Sequence, residues 1–297
     1  MKPSSIISRH SIEESDVVII SAPYEKTASS RKGTQNGPKK IIECLESKLE
    51  FFRRDYLTES CAHIGISTLP ELDLSDSTPD RALEIVRNAS IIILDQDKFP
   101  ILLGGEHSVS LGLLQALSKK YNSHDVTILQ IDAHCDLRDS DADYNSSPSR
   151  LAHSCVMRRA HELGYKLSQV GIRTYSIDEY NYFTQNNDSI SVYEWGLEKI
   201  PEITHIVDAI KTKYVYLTID VDGFDPAYMP GTGTPVQGGL EWWYGVKLIK
   251  SIIQKHSLIG ADVVEVSPMQ DSVLTEYGAS QLVYDIISHR FADLLKV

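Results

Sequence analysis

The chain has 297 residues, with 29 basic against 41 acidic side chains and a formal charge of −12. That length allows a sizeable core, and the acidic balance argues against nucleic acid as a partner and favours a cationic ligand. Met1-Lys-Pro-Ser-Ser5 lacks an apolar signal core, the aliphatic runs (such as residues 91–94) are far too short to span a bilayer, and the four cysteines have no paired close spacing, so a cytoplasmic protein with reduced thiols and no membrane partner is expected.

Residues 16–22 are an apolar run of strand length that opens a sheet. After a polar stretch, Gly37-Pro38 begins a helix with Ile41, Ile42, Leu45 and Leu49 on one face. A short strand near 63–66 precedes Thr78-Pro79-Asp80, whose capping residue and first-turn proline introduce a helix through residue 88 or beyond. The strand-like run 99–103 ends in Gly104-Gly-Glu-His-Ser108, where two glycines allow a tight path into a helix from Ser108 onward. In isolation His107 reads as a helix cap.

The next strand, 126–131, leads directly into Asp132-Ala-His-Cys-Asp136. Strand side chains alternate faces, so with extended backbone Asp132, His134 and Asp136 project one way and Cys135 the other. The same spacing recurs at Asp220 and Asp222 after the apolar run 214–219. Four carboxylates and two imidazoles at three strand ends are costly to pack together without a cation, and a metal pair supplies that charge. In this context His107 reads as a ligand.

Residues 138–150 form a Ser/Asp/Asn-rich loop that would rim such a site, followed by the start of a helix at 151–160. Then come a strand near 169–172, a helix near 177–183, a short strand at 190–193 and a helix at about 201–211. The run 230–239 is rich in turn residues; it lacks the lysine and strand-to-helix setting of a phosphate cradle and is expected to be an ordered loop. A helix at 241–255, a strand at 258–266 carrying Glu265, and an amphipathic helix at 277–295 close the chain. A charge such as Glu265 in an apolar run needs a partner. The alternation implies an α/β fold with a mainly parallel sheet, and the lack of a long linker or repeat implies one domain over residues 1–297.

With these residues placed, the chain resembles the ureohydrolases, the arginase and agmatinase family, over nearly its whole length. The resemblance rests on Gly104-Gly-Glu-His107-Ser, Asp132-Ala-His134-Cys-Asp136, Thr218-Ile-Asp220-Val-Asp222-Gly-Phe-Asp-Pro226 and Val264-Glu265-Val-Ser-Pro268, in the family's order. It implies a three-layer α/β/α sandwich, two Mn²⁺ per chain and a homotrimer or homohexamer. It also implies that Asp132 and Asp220 bridge the metals, that His107 and Asp136 complete one site, and that His134 and Asp222 complete the other. Oxygen-rich coordination suits Mn²⁺ better than zinc. By the same resemblance Asp136 helps pass a proton to the departing amine, Glu265 holds the guanidinium and His153 shuttles protons, although Ser154-Cys155 departs from the usual family pattern.

The segments Thr232-Gly-Thr-Pro-Val-Gln-Gly-Gly-Leu240 and Gly171-Ile-Arg173 look more like agmatinases than arginases, which implies hydrolysis of agmatine to putrescine and urea. Asp136-Leu-Arg138 resembles the formimidoylglutamase version, in which an arginine meets a substrate carboxylate; Arg138 reads equally as a structural ion-pair partner. Arginase-type and guanidinobutyrase-type hydrolysis are further alternatives. A metal-stabilised scaffold is a non-catalytic one, opposed by the intact ligand set.

Overall fold

Apolar β-branched runs buried on both faces are what a parallel sheet covered by helices requires, and the chain forms one. In a computed structural model, residues 10–197 and 199–295 are described; the leader reading of Met1 to Ser5 lies outside them. The order is β1 (Val17–Ala22), α1 (Gly37–Ser47), a small ribbon of β2 (Phe52–Arg53) and β3 (Thr58–Glu59), β4 (Ile66–Thr68), α2 (Pro79–Asp95), β5 (Phe99–Gly104), α3 (Ser110–Lys120) and β6 (Val126–Ile131). There follow α4 (Val156–Glu162), β7 (Lys166–Ile172), α5 (Ile177–Gln185), β8 (Ile190–Glu194), α6 (Ile203–Ala209), β9 (Tyr214–Asp220), α7 (Trp242–Lys255), β10 (Ser257–Val264) and α8 (Leu274–Arg290).

Eight strands make one sheet in the order β4-β1-β5-β10-β9-β6-β7-β8, and every pairing in it is parallel. Alternate residues of each strand face two separate cores. Val17, Ile19 and Leu217 pack on one side with Ile41 of α1, Ile206 of α6, Ile249 of α7 and Ile286 of α8. Val18, Ile20 and Leu102 pack on the other with Val86 of α2, Leu114 of α3 and Met157 of α4. These are the three layers that the resemblance implies, around the parallel sheet that the alternation predicts. Each fully buried Leu, Ile or Val contributes roughly 1.5–3 kcal/mol relative to exposure. Thr78 caps α2 as its position suggests, its side chain accepting from the Arg81 N–H. No helix of the described residues is long and apolar enough to cross a membrane.

The last helix corrects the sequence reading. It spans Leu274–Arg290 and is not amphipathic: every residue from 282 to 289 is buried, more than two full turns. It lies between α1 and α7, and its polar groups find partners there. Arg53 pairs with Asp285, the Tyr56 hydroxyl is 2.7 Å from His289 Nδ1, and the Tyr284 hydroxyl donates to the Phe51 carbonyl at 2.8 Å. Polar residues in a helix repeat therefore do not mark a solvent face when a neighbouring ribbon supplies their hydrogen bonds.

Candidate metal centre

The sequence-marked ligands meet at the carboxyl ends of β5, β6 and β9. Gly105 makes the first turn possible, because a Cβ there would lie 2.1 Å from the Tyr24 carbonyl oxygen. The chain then enters a 3₁₀ turn, His107–Val109, that buries His107 completely. His107 Nδ1 lies 3.1 Å from Asp136 Oδ2, 3.3 Å from Asp132 Oδ2 and 3.6 Å from Asp220 Oδ2. On the second side, His134 Nδ1 lies 3.1 Å from Asp222 Oδ2 and 3.6 Å from Asp132 Oδ1. Among the described residues, His107, Asp132 and Asp220 form one compact ligand group and Asp132, His134 and Asp222 another, so Asp132 is common to both. Asp136 falls outside these two groups and joins through His107.

The backbone reaches this arrangement differently from the extended path that alternation assumes. Beyond Ile131, His134 forms a single parallel bridge to Thr174, which preserves the alternation that far. At Asp136 the chain turns into left-handed backbone, φ 52°, and the Asp136 carbonyl accepts from the N–H groups of Met157 and Arg158 at the start of α4. Helix capping thus sets the turn, and the turn aims the Asp136 side chain at His107. Cys135 is fully buried within the core on the α3 and α4 side, with its carbonyl accepting from Gln169 Nε2, as the packing reading expects. Asp222 likewise leaves the strand: it sits in the 3₁₀ turn Val221–Gly223, its N–H donating to Asp220 Oδ1 at 2.9 Å.

Hydrogen bonds fix the tautomer of His107. The Thr218 hydroxyl donates to Asp262 Oδ1 at 2.6 Å, so at its 2.8 Å contact with His107 Nε2 it accepts, and the proton resides on Nε2. Nδ1 then faces three carboxylates, and this buried atom has no hydrogen-bond partner among the described residues. An orphaned imidazole nitrogen aimed into a carboxylate cluster is the donor set a divalent cation fits. Charge leads to the same conclusion. Burial, then Asp132, pushes Asp136 up to about 7. Burial, then Asp222 and Asp132, pushes Asp220 well above the usual carboxylate range. Burial disfavours the cationic forms of His107 and His134, yet their carboxylate neighbours outweigh it and hold both pKa values well above ordinary.

A pH-dependent stability follows. Groups whose pKa rises on folding stabilise the folded chain at low pH and lose that contribution as pH rises through the folded pKa, about 7 for Asp136. Asp132, held low against burial by His107 and His134, has the opposite sign, and its contribution is lost only in strong acid. Chelator-treated protein is therefore expected to lose melting temperature between about pH 4 and 7, with the gap to metal-loaded protein widening by on the order of 3 °C. A gap that does not change with pH, measured by calorimetry, contradicts this.

Glu265 follows β10 in left-handed backbone, φ 63°, which swings its side chain under the cluster. Its Oε1 accepts from the His107 N–H at 2.8 Å and lies 3.8 Å from His153 Nδ1. Burial pushes its pKa well up, opposed by that backbone hydrogen bond. His153 opens the turn His153–Cys155 and is lowered to about 4 by burial, then by His134 and His107, so at neutral pH it is a proton acceptor. A cavity of about 300 Å³ is lined by His134, Asp136, Tyr144, His153, Asp220 and Thr234. A larger groove of about 700 Å³, bordered by Phe52, Trp243 and Lys250, contains none of these ligands.

Supporting residues were less visible in the sequence. Buried Glu106 accepts from the N–H and hydroxyl of Thr27 and from the Ser108 hydroxyl, while the Thr27 hydroxyl oxygen accepts from the His153 N–H. A carboxylate beside His107 thus ties the loop after β1 to the start of the His153 turn. Tyr216 and Thr218 both donate to Asp262, which backs His107. Arg173 spends its guanidinium on the carbonyls of Gly171, Asp222, Gly223, Phe224, Val236 and Gln237. The one signal for Glu106 and Asp262 was charge inside apolar context.

Residues 15–288 match the family model described as the arginase family. Over 286 residues the chain is 34% identical to the N(1)-aminopropylagmatine ureohydrolase of Synechocystis sp., covering 94% of this chain and 90% of that protein. It is 34% identical to the agmatinase of Bacillus subtilis, covering 95% of this chain and 94% of that one. The crystal structure of the agmatine ureohydrolase of Thermoplasma volcanium superposes with a TM-score of 0.83 at 28% identity, covering 98% of this chain and 95% of that chain. Four ordered ligand motifs, an all-parallel sheet that delivers them to one end and relatives that match nearly from end to end agree: the chain belongs to the arginase family, the ureohydrolases.

Proposed function

We propose that this chain hydrolyses the C–N bond between the guanidino carbon and the alkyl amine of an amine-tailed guanidine, with agmatine giving putrescine and urea as the first candidate. The observation that carries this reading is Glu265: buried beside the ligand cluster, with Oε1 committed to the His107 N–H and 3.8 Å from His153 Nδ1. A carboxylate so placed is matched to a planar guanidinium. His107, Asp132, Asp136 and Asp220 would hold one Mn²⁺, and Asp132, His134, Asp220 and Asp222 a second. Such a pair supplies Lewis acidity toward a water nucleophile and offsets charge on the tetrahedral carbon. Water adds to the guanidino carbon, the bond to the alkyl nitrogen breaks, and the water's proton passes to that nitrogen so that it leaves as an amine. Asp136, beside the ligand cluster, is placed to carry that proton, and neutral His153 at the cavity wall exchanges it with solvent. A homotrimer or homohexamer, implied by the resemblance, completes the proposal.

Arg138 supports the amine tail. It pairs with Asp143 and lies 3.8 Å from Glu179 Oε2, so two carboxylates already offset its charge. That is the ion-pair reading of Arg138 rather than a clamp for a substrate carboxylate. Relatives named for agmatine and for N(1)-aminopropylagmatine are consistent with it. With Mn²⁺, kcat/KM for agmatine is expected to exceed that for arginine, guanidinobutyrate and formimidoylglutamate by at least about tenfold. Formimidoylglutamate leading in the wild type, and collapsing selectively in Arg138→Ala, contradicts the amine-tail reading while leaving the hydrolase reading intact.

A further inference from the structure

The cavity at the metal centre has a second hollow beside it. Thr174 and Tyr175 line both, and beyond them a space of about 470 Å³ opens between Glu194, Trp195 and Gly196 on one side and Val236 and Gln237 on the other. Strand register explains why the two lie side by side. His134 bridges Thr174 just past β7, and β7 pairs with β8 through Ile172 and Glu194. Two strand spacings of about 4.8 Å therefore carry a ligand sideways from His134 to Glu194.

Glu194 is the one carboxylate among the residues described as lining this hollow. The Tyr175 hydroxyl donates to its Oε1, and the described residues place no hydrogen-bond donor on Oε2. Arg173, which also borders the hollow, is turned onto backbone carbonyls, and the described residues show no ion pair between it and Glu194. A Cβ at Gly196 would meet nothing within 4 Å, so no side chain fills the space there. Tyr175 and the largely buried Trp195 supply apolar walls. An open carboxylate oxygen between aromatic walls, across Thr174 and Tyr175 from the active-site cavity, has the chemistry to bind an ammonium at the end of a methylene chain.

We propose that this hollow is a second amine subsite, in which the substrate tail crosses Thr174 and Tyr175 and a distal ammonium pairs with Glu194. The inference rests on the guanidine-hydrolase reading above and narrows its substrate class to agmatine-like guanidines whose amine bears a further aminoalkyl arm.

The test compares two compounds of equal length: agmatine carrying a 3-aminopropyl group on its amine, and agmatine carrying a four-carbon n-butyl group there. In Mn²⁺-loaded wild type, kcat/KM for the aminopropyl compound is expected to exceed that for the butyl compound by about fivefold, the scale of one partly exposed ion pair. In Glu194→Gln the ratio is expected to fall to about one. A wild-type ratio near one, or a ratio unchanged in Glu194→Gln, overturns the subsite. Calorimetric binding of spermidine against putrescine to the same two proteins reads the hollow without turnover; equal preference for the triamine in both proteins also overturns it. Absence of urea from every guanidino compound, with a Glu194-dependent preference for spermidine intact, overturns the hydrolase reading and leaves the subsite standing.

Discussion

Glu265→Gln is expected to keep its metal and its fold and to lose about 100- to 1000-fold in kcat/KM for its guanidino substrate. The amide retains an oxygen that accepts from the His107 N–H, so the turn at the start of α3 is preserved. What changes is the other atom. An NH₂ group replaces the second oxygen, and a substrate cation would then meet a donor in a buried site instead of an acceptor with negative charge. His153→Asn is expected to lose less, because a histidine lowered to about 4 is a weak base at neutral pH and small exogenous bases such as imidazole can replace it. Full turnover in Glu265→Gln, with metal content and melting temperature equal to wild type, removes Glu265 from substrate binding.

The second large effect is expected at Asp132. Its oxygens serve both ligand groups, and both are already oriented: Oδ1 accepts from the His134 N–H at 2.6 Å and Oδ2 from Gln130 Nε2 at 2.6 Å. Asparagine loses the charge and sets an NH₂ against one of those two donors. Asp132→Asn is therefore expected to weaken metal binding at both positions by more than the roughly 10- to 100-fold typical of changes outside the ligand shell. Asp220→Asn also weakens the pair, with a smaller effect on the His134 side, since Asp220 groups with His107 and Asp132. Unchanged metal content in Asp132→Asn by elemental analysis contradicts the shared-ligand arrangement.

The carboxylates and imidazoles at the strand ends were legible because strand periodicity is a local property. Asp132 and His134 alternate as the sequence suggests, and the bridge from His134 to Thr174 is what keeps the backbone extended there. Asp136 reaches His107 by a route that extended alternation does not describe: its left-handed turn is set by capping α4, more than twenty residues later in the chain. Asp222 reaches the cluster from a 3₁₀ turn. The buried last helix was misjudged because its polar residues pair with a ribbon built from residues 52–59, a tertiary contact with no local signature. Glu106 and Asp262 act through hydrogen bonds to residues on other strands or loops. Glu194 acquires meaning only where β7 and β8 lie side by side.

The most direct test of the account is a stoichiometric titration of Mn²⁺ into chelator-treated protein, with bound metal and urea release from agmatine followed in the same samples. Saturation of both at two ions per chain is the expected result. Saturation at one ion, or urea release undiminished by removal of metal, contradicts a dimetal guanidine hydrolase.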